Sequence, residues 1–150
     1  MGKIFYPDFE EFLDALNKCN VEYVLVGGFA VIYHGYERTT GDIDIWVNNT
    51  VENYRKIEKA FGIFRMPTFD MTLENFLDLT RFDVFKFGKS PVRIDILTAC
   101  KGLNFDEAYA NSTRLLFDGV EVNMVDLKDL IKAKKAAGRH KDLDDIEQIS

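Results

Sequence analysis

The chain is poor in the residues that staple small proteins or load them with metal. Of 150 residues only two are cysteine, Cys19 and Cys100, and two are histidine, His34 and His140. Two cysteines so far apart make neither a disulfide framework nor a zinc site. Their positions, after a helical pattern and after a strand pattern, predict buried free thiols in a reducing compartment. So few histidines exclude the His-rich metal hydrolases, and no serine sits in a Gly-x-Ser-x-Gly elbow. No apolar run approaches the ~18 residues of a membrane span. Asp8, Glu10 and Glu11 stand where a signal peptide would need its apolar stretch. A soluble, cytoplasmic protein with no membrane partner is expected. Positive charge is short as well: 19 Lys+Arg against 25 Asp+Glu leave a net −6. That balance argues against a non-specific nucleic-acid coat, whose affinity comes from Lys and Arg.

What is present is enough apolar material for a core. Apolar residues make up 47% of the chain and include 13 Phe, which excludes intrinsic disorder and low-complexity assemblies. The length and the absence of repeats or Ser/Gly linkers predict one domain over residues 1–150. Within it a sheet core over 1–125 is followed by a helical tail over 126–150. The tail is where cations collect: residues 126–142 hold six Lys+Arg and three acids.

Periodicity predicts an α/β (α+β) fold, a mixed central sheet flanked by helices. Asp8 and Glu11 have capping-box spacing ahead of the stripe Phe9, Phe12, Leu13 and Leu16. Tyr23–Val26 reads as a buried strand ended by Gly27-Gly28, with a short helix over Phe29–Tyr33. Asp42–Val47 alternates strictly, with Asp42, Asp44 and Trp46 on one face. Thr50 is placed to cap a helix with the stripe Tyr54, Ile57 and Phe61, stopped by Gly62. Thr72 caps a short helix carrying Leu73, Phe76 and Leu77. Phe82–Phe87 and Val92–Leu97 read as adjacent strands joined around Gly88–Pro91. Asn104 opens a helical turn, and Asp118-Gly119 joins Leu115–Phe117 to Val120–Met124 as a hairpin. Asp126 caps a helix to about Ala137, Gly138 breaks it, and Asp142–Ile149 is a last helical segment.

Three features carry chemistry only when taken together. Gly27-Gly28, between a strand and a helix, lets backbone N–H groups approach an anion, though a tight turn alone also needs such glycines. Asp42 and Asp44 share one strand face with Cα atoms about 7 Å apart, close enough to share a hard cation such as Mg²⁺. A solvated strand edge would carry two acids just as well. Asp95, in the strand Val92–Leu97, shares a face with Arg93, opposite Ile94 and Ile96.

Jointly, Val26-Gly27-Gly28-Phe29-Ala30, His34-Gly35, Arg38-Thr39-Thr40-Gly41-Asp42-Ile43-Asp44-Ile45 and Asp95 resemble the nucleotidyltransferase superfamily that includes DNA polymerase beta. The resemblance implies transfer of a nucleoside monophosphate from an NTP donor to an acceptor hydroxyl. It implies Mg²⁺, or Mn²⁺ in its place, held by Asp42, Asp44 and Asp95, the last also activating the acceptor. It assigns Gly27, Gly28 and Arg38 to the nucleotide phosphates. The tail, Lys134 through Arg139, Lys141, Asp142, Asp145 and Ile146, is similar to small nucleotidyltransferases of the AbiEii-like toxin and uncharacterised bacterial type. There the lysine matching Lys134 is expected to reach the triphosphate.

Lys134 also stands out on its own, since it occupies the next position of the apolar stripe Leu127, Leu130 and Ile131. A stem snorkelling past the core is the plain alternative. Arg139 and Asp142 can pair with each other or line the site, Trp46 can stack on a base or cover the sheet, and His34 fits a helix-end histidine bonded to backbone. Gly88-Lys89-Ser90 imitates the end of a phosphate loop, but Asp83 replaces the leading glycine and Pro91 follows, so a hairpin turn is expected. The acceptor is open among a small molecule such as an antibiotic, a tRNA end and a protein. Two competing readings are a non-catalytic relative that binds a protein partner, as in a toxin–antitoxin pair, and an RNA-binding module built on the basic tail.

Overall fold

The computed structural model describes residues 5–37, 39–89 and 91–150. Seven helices and six strands alternate along the chain among these residues: α1 Pro7–Lys18, β1 Tyr23–Val26, α2 Gly27–Tyr33, β2 Asp42–Val47, α3 Val51–Phe64, α4 Leu73–Leu77, β3 Val84–Lys89, β4 Val92–Leu97, α5 Phe105–Asn111, β5 Thr113–Phe117, β6 Val120–Met124, α6 Leu127–Ala137 and α7 His140–Ile149. The strands form one mixed sheet in the order β3-β4-β2-β1-β6-β5. β2 runs parallel to β4 and β1 parallel to β6, while β1–β2, β3–β4 and β5–β6 are antiparallel. A mixed sheet flanked by helices and ended by a helical segment is the expected architecture.

Strand alternation gives the sheet two different faces. Ile43 and Ile45 of β2, Ile94 and Ile96 of β4, and Phe85 and Phe87 of β3 share one face and are buried. α3 covers it, with Phe61 at 5.0 Å from Phe87 between ring centroids, and α1 packs on α3 through Phe12, 5.7 Å from Phe61. The other face carries Asp42, Asp44, Asp95 and Lys86, and at one end Trp46, which lies under Phe105 of α5 at 5.1 Å. Trp46 is therefore fully covered and closes the sheet.

Several boundaries differ from their expected positions for local reasons. α1 starts at Pro7, whose fixed φ suits a first helical position. Its N-cap is Tyr6, which makes no side-chain cap, so Asp8 and Glu11 form no capping box. α2 begins at Gly27, two residues earlier than expected. α3 passes through Gly62 to Phe64 and ends on Arg65, which takes the left-handed conformation with φ 64°; Phe64 packs on Phe12 at 5.3 Å, and that contact carries the helix one turn further. Cys19 and Cys100 are free, but half-buried rather than buried. The other caps stand as expected: Thr50, Thr72, Asn104 and Asp126 each accept a backbone N–H of the first turn. Asp118 and Gly119, φ 54° and 88°, make the β5–β6 turn with both central residues left-handed. β3 and β4 pair up to Lys89–Val92, so Gly88-Lys89 belongs to a hairpin. Ser90 lies outside the described residues.

Candidate active site

The register of β2 on β4 builds the centre of the site. Asp42 lies opposite Arg93 and Asp44 opposite Asp95, while β3 sets Lys86 beside Asp95. Three acids from two strands thus meet two cations on one face. Asp42 accepts a forked pair of hydrogen bonds from Arg93, Nε to Oδ1 at 2.9 Å and a terminal nitrogen to Oδ2 at 3.3 Å. Lys86 Nζ stands 3.6 Å from Asp95 Oδ2. Both cations keep more than half of their side chains in water, 54% for Arg93 and 72% for Lys86. Pairs of that kind are worth only ~0.2–1 kcal/mol and are easily exchanged.

Asp44 has no such partner on the sheet. Its carboxyl is pushed up to about 7, first by burial and then by the neighbouring charge of Asp95, which shares a hydrogen bond with it. Asp42 raises it further, and only Lys134 works in the opposite direction. Gly27 lets this happen: its φ is +72°, and a Cβ built there would collide with the Asp44 carboxylate. The glycine therefore does two jobs. It turns the chain from β1 into α2, and it leaves the space that Asp44 fills. No side chain caps α2, so its first-turn N–H groups face the same region without a side-chain acceptor.

The tail forms the opposite wall. Lys134 on α6 is 8% exposed and its ammonium lies 3.2 Å from Asp142 Oδ1 and 3.1 Å from Asp145 Oδ2, both on α7. Arg139 adds a fork to Asp142, at 2.6 and 3.1 Å, and its backbone N–H donates to the same carboxylate. Burial would raise the Asp142 carboxyl, but the hydrogen bonds from Arg139 and Lys134 more than offset it and hold it below the ordinary range. The lysine stem does not snorkel past the core; its head is neutralised inside the protein. Arg139 and Asp142 both pair and line the site. Tyr36 donates to Asp144 of α7 at 2.8 Å, joining the segment after α2 to the tail. His34 Nε2 donates to the Val125 carbonyl at 2.8 Å, the backbone-bonded role expected of it.

All of these walls enclose one cleft of about 680 Å³, lined by Gly27, Gly28, Thr39, Thr40, Asp42, Asp44, Asp95, Lys134 and Arg139 among others. Six of the seven residues singled out in the sequence thus converge. The seventh, Arg38, lies outside the described residues. Cys100 lines the cleft too, but burial pushes its thiol up to about 11, so it carries no thiolate at neutral pH. The residues that sequence reasoning left without a role are Arg93, Lys86 and Asp145. Alternation already places Arg93 beside Asp95, but only the register shows that it meets Asp42.

Among the described residues no three His, Cys, Asp or Glu side chains gather into a ready-made metal cage. The donor set nonetheless suits Mg²⁺, which usually takes one or two carboxylates and completes its shell with water and substrate phosphates. The crowded Asp44–Asp95 pair offers two carboxylates as hard oxygen donors, with only the largely exposed Lys86 paired to Asp95, and Asp42 stands next to them on Arg93.

A family model described as "Nucleotidyltransferase of unknown function (DUF6036)" matches residues 8–150 of the chain. No curated protein matches. A crystal structure of JHP933 from Helicobacter pylori is similar at 14% identity and a TM-score of 0.46, covering 96% of this chain and 66% of that one. The chain therefore spans just under two thirds of the length of that solved chain.

Proposed function

We propose, for a chain that belongs to this DUF6036 nucleotidyltransferase family, transfer of a nucleoside monophosphate from an NTP to an acceptor hydroxyl. The acceptor oxygen bonds to the α-phosphorus, the bond to the β-phosphate breaks, pyrophosphate leaves and the hydroxyl proton passes to a base. The observation that carries this reading is the β2–β4 register, which sets Asp44 against Asp95 in the cleft that Gly27 and Gly28 also line.

Asp42, Asp44 and Asp95 are the residues that would hold Mg²⁺, or Mn²⁺ in its place. Bound there, the cation supplies positive charge at the reacting phosphoryl oxygens. Asp95 accepts the proton of the acceptor hydroxyl. Gly27 and Gly28 offer backbone N–H groups to the phosphates at close approach. Lys134, whose charge Asp142 and Asp145 balance in the free protein, still exerts its field on Asp44 and is the tail's candidate contact to the triphosphate. Arg38, by its place in the motif, is a further phosphate contact. The two tail helices act as the element that closes the sheet core over the nucleotide. The narrower likeness to AbiEii-like toxins, with a toxin–antitoxin setting and a protein partner, belongs to the same proposal. A small molecule, a tRNA end and a protein remain the candidate acceptors.

Incubating the purified protein with Mg²⁺, each labelled NTP and a cell extract tests the reading. Label should enter one class of product, identified by its size and its nuclease or protease sensitivity. Asp44→Ala should abolish labelling with an unchanged far-UV circular dichroism spectrum. The absence of both transfer and a Mg²⁺-dependent thermal shift at millimolar NTP would overturn it.

A further inference from the structure

Arg93 does not belong to the glycine-and-acid motif, yet it makes the best-formed contact in the centre of the site. Its guanidinium forks onto both oxygens of Asp42 at 2.9 and 3.3 Å. A carboxylate so engaged presents few lone pairs to a cation. We infer that Arg93 is a stand-in for the metal at Asp42: it holds the third carboxylate in the free protein and must release it before a divalent cation can gain that ligand. The inference rests on the metal-dependent reading above.

Three observations support it. Asp42 is held by the Arg93 fork while its neighbour Asp44, on the same face, is set against Asp95, whose own partner Lys86 stands 3.6 Å away, so the acids are neutralised unevenly. The cation at Asp42 is the removable kind, with 54% of the Arg93 side chain in water. The cation on the opposite wall is the fixed kind, since Lys134 is buried between two carboxylates and is not free to move onto Asp42. Only the exposed side can exchange. Once displaced, Arg93 remains on β4 beside Asp95, with its fork of donors turned loose in the cleft, where a phosphate would be the matching acceptor.

Mn²⁺ titration of the nucleotide-free protein, followed by electron paramagnetic resonance of free Mn²⁺, reads the competition directly. Arg93→Gln should bind Mn²⁺ about two- to fivefold more tightly than wild type, the range expected for removing one exposed competing pair. Arg93→Lys, which keeps the charge and loses the fork, should fall between them. The wild-type deficit should shrink as salt is raised from 50 mM to about 500 mM, because an exposed ion pair is screened over such distances. A purely structural Arg93 would alter melting temperature and leave this order of affinities unmoved. Equal affinity in wild type and Arg93→Gln, with binding lost in Asp44→Asn, would overturn the inference and leave the metal site standing. Absence of Mn²⁺ binding in all of these proteins would overturn the inference and the metal-dependent reading together.

Discussion

At Gly27 one missing methyl group decides where a carboxylate can sit. Any side chain there meets the Asp44 carboxylate and must also adopt φ +72°. The backbone conformation alone costs an L-residue ~1–2 kcal/mol. Gly27→Ala should therefore lower stability by at least about that much in chemical denaturation and should weaken Mn²⁺ binding, because Asp44 has to move. Gly28, buried but not at positive φ, is spared that backbone cost. Lys134 presents the opposite case. Removing its ammonium leaves Asp142 and Asp145 buried without it, and breaking a buried pair of this kind costs ~3–5 kcal/mol. Lys134→Met is expected to fall in that range by urea unfolding, whereas Lys135→Met, on an exposed position of α6, should stay within ~0.5 kcal/mol. The lysine was legible in the sequence as an intruder in an apolar stripe. That two acids of α7 would bury themselves to meet it was not, since Asp142 and Asp145 sit in a run that also reads as a solvated face.

At the scale of elements, the most faithful signals are those that a few neighbouring atoms settle. Thr50, Thr72, Asn104 and Asp126 cap their helices because a short polar side chain after extended backbone has a free N–H within reach. Thr50→Ala should lose ~1 kcal/mol, which in a chain of this length lowers the melting temperature by ~2–4 °C. Where a boundary moved, packing outweighed the local signal. Gly62 looks like a stop, but α3 runs on to place Phe64 against Phe12. Asp8 and Glu11 have the spacing of a capping box, and Pro7 takes the first helical position instead. The face of each strand was equally legible, since a period of two needs no partner to define it. The two hairpins, β3–β4 and β5–β6, were legible too, but which strands lie side by side beyond them was not. β2 and β4 are separated by α3, α4 and β3, and nothing within either strand announces that Asp44 and Asp95 will share a rung. The acids could be named from the sequence; their convergence is a property of the register.

For the whole molecule, the two walls of the cleft respond to pH with opposite sign. The Asp44 carboxyl lies above its unfolded value, at about 7. Its burial is fully tolerated below the unfolded value, near 4, and costs stability progressively as pH rises through about 7. Asp142 lies below its unfolded value, so its contribution is present above that value and is lost as pH falls. The metal-free protein should consequently melt highest in mildly acidic solution and lower at pH 8. Mg²⁺ should raise the melting temperature little at pH 5 and most above pH 7, with protons released on binding. Differential scanning fluorimetry across this range, with and without Mg²⁺, checks both signs. Asp44→Asn should erase the alkaline decline and the Mg²⁺ effect together.

The parallel pairing of β2 with β4 has a kinetic consequence as well. A contact between residues 44 and 95 closes a long loop of chain, and such pairings form late and slowly. Here the closing step also drives two carboxylates into one another's field before any cation is trapped between them. On the metal-dependent proposal, protons and divalent cations should then act as folding aids, lowering the electrostatic part of the barrier. Refolding by stopped-flow fluorescence of Trp46, which lies on β2 two residues beyond this rung, should accelerate as pH drops from 8 to 6 or as Mg²⁺ is added. Asp44→Asn should refold at a rate that neither changes.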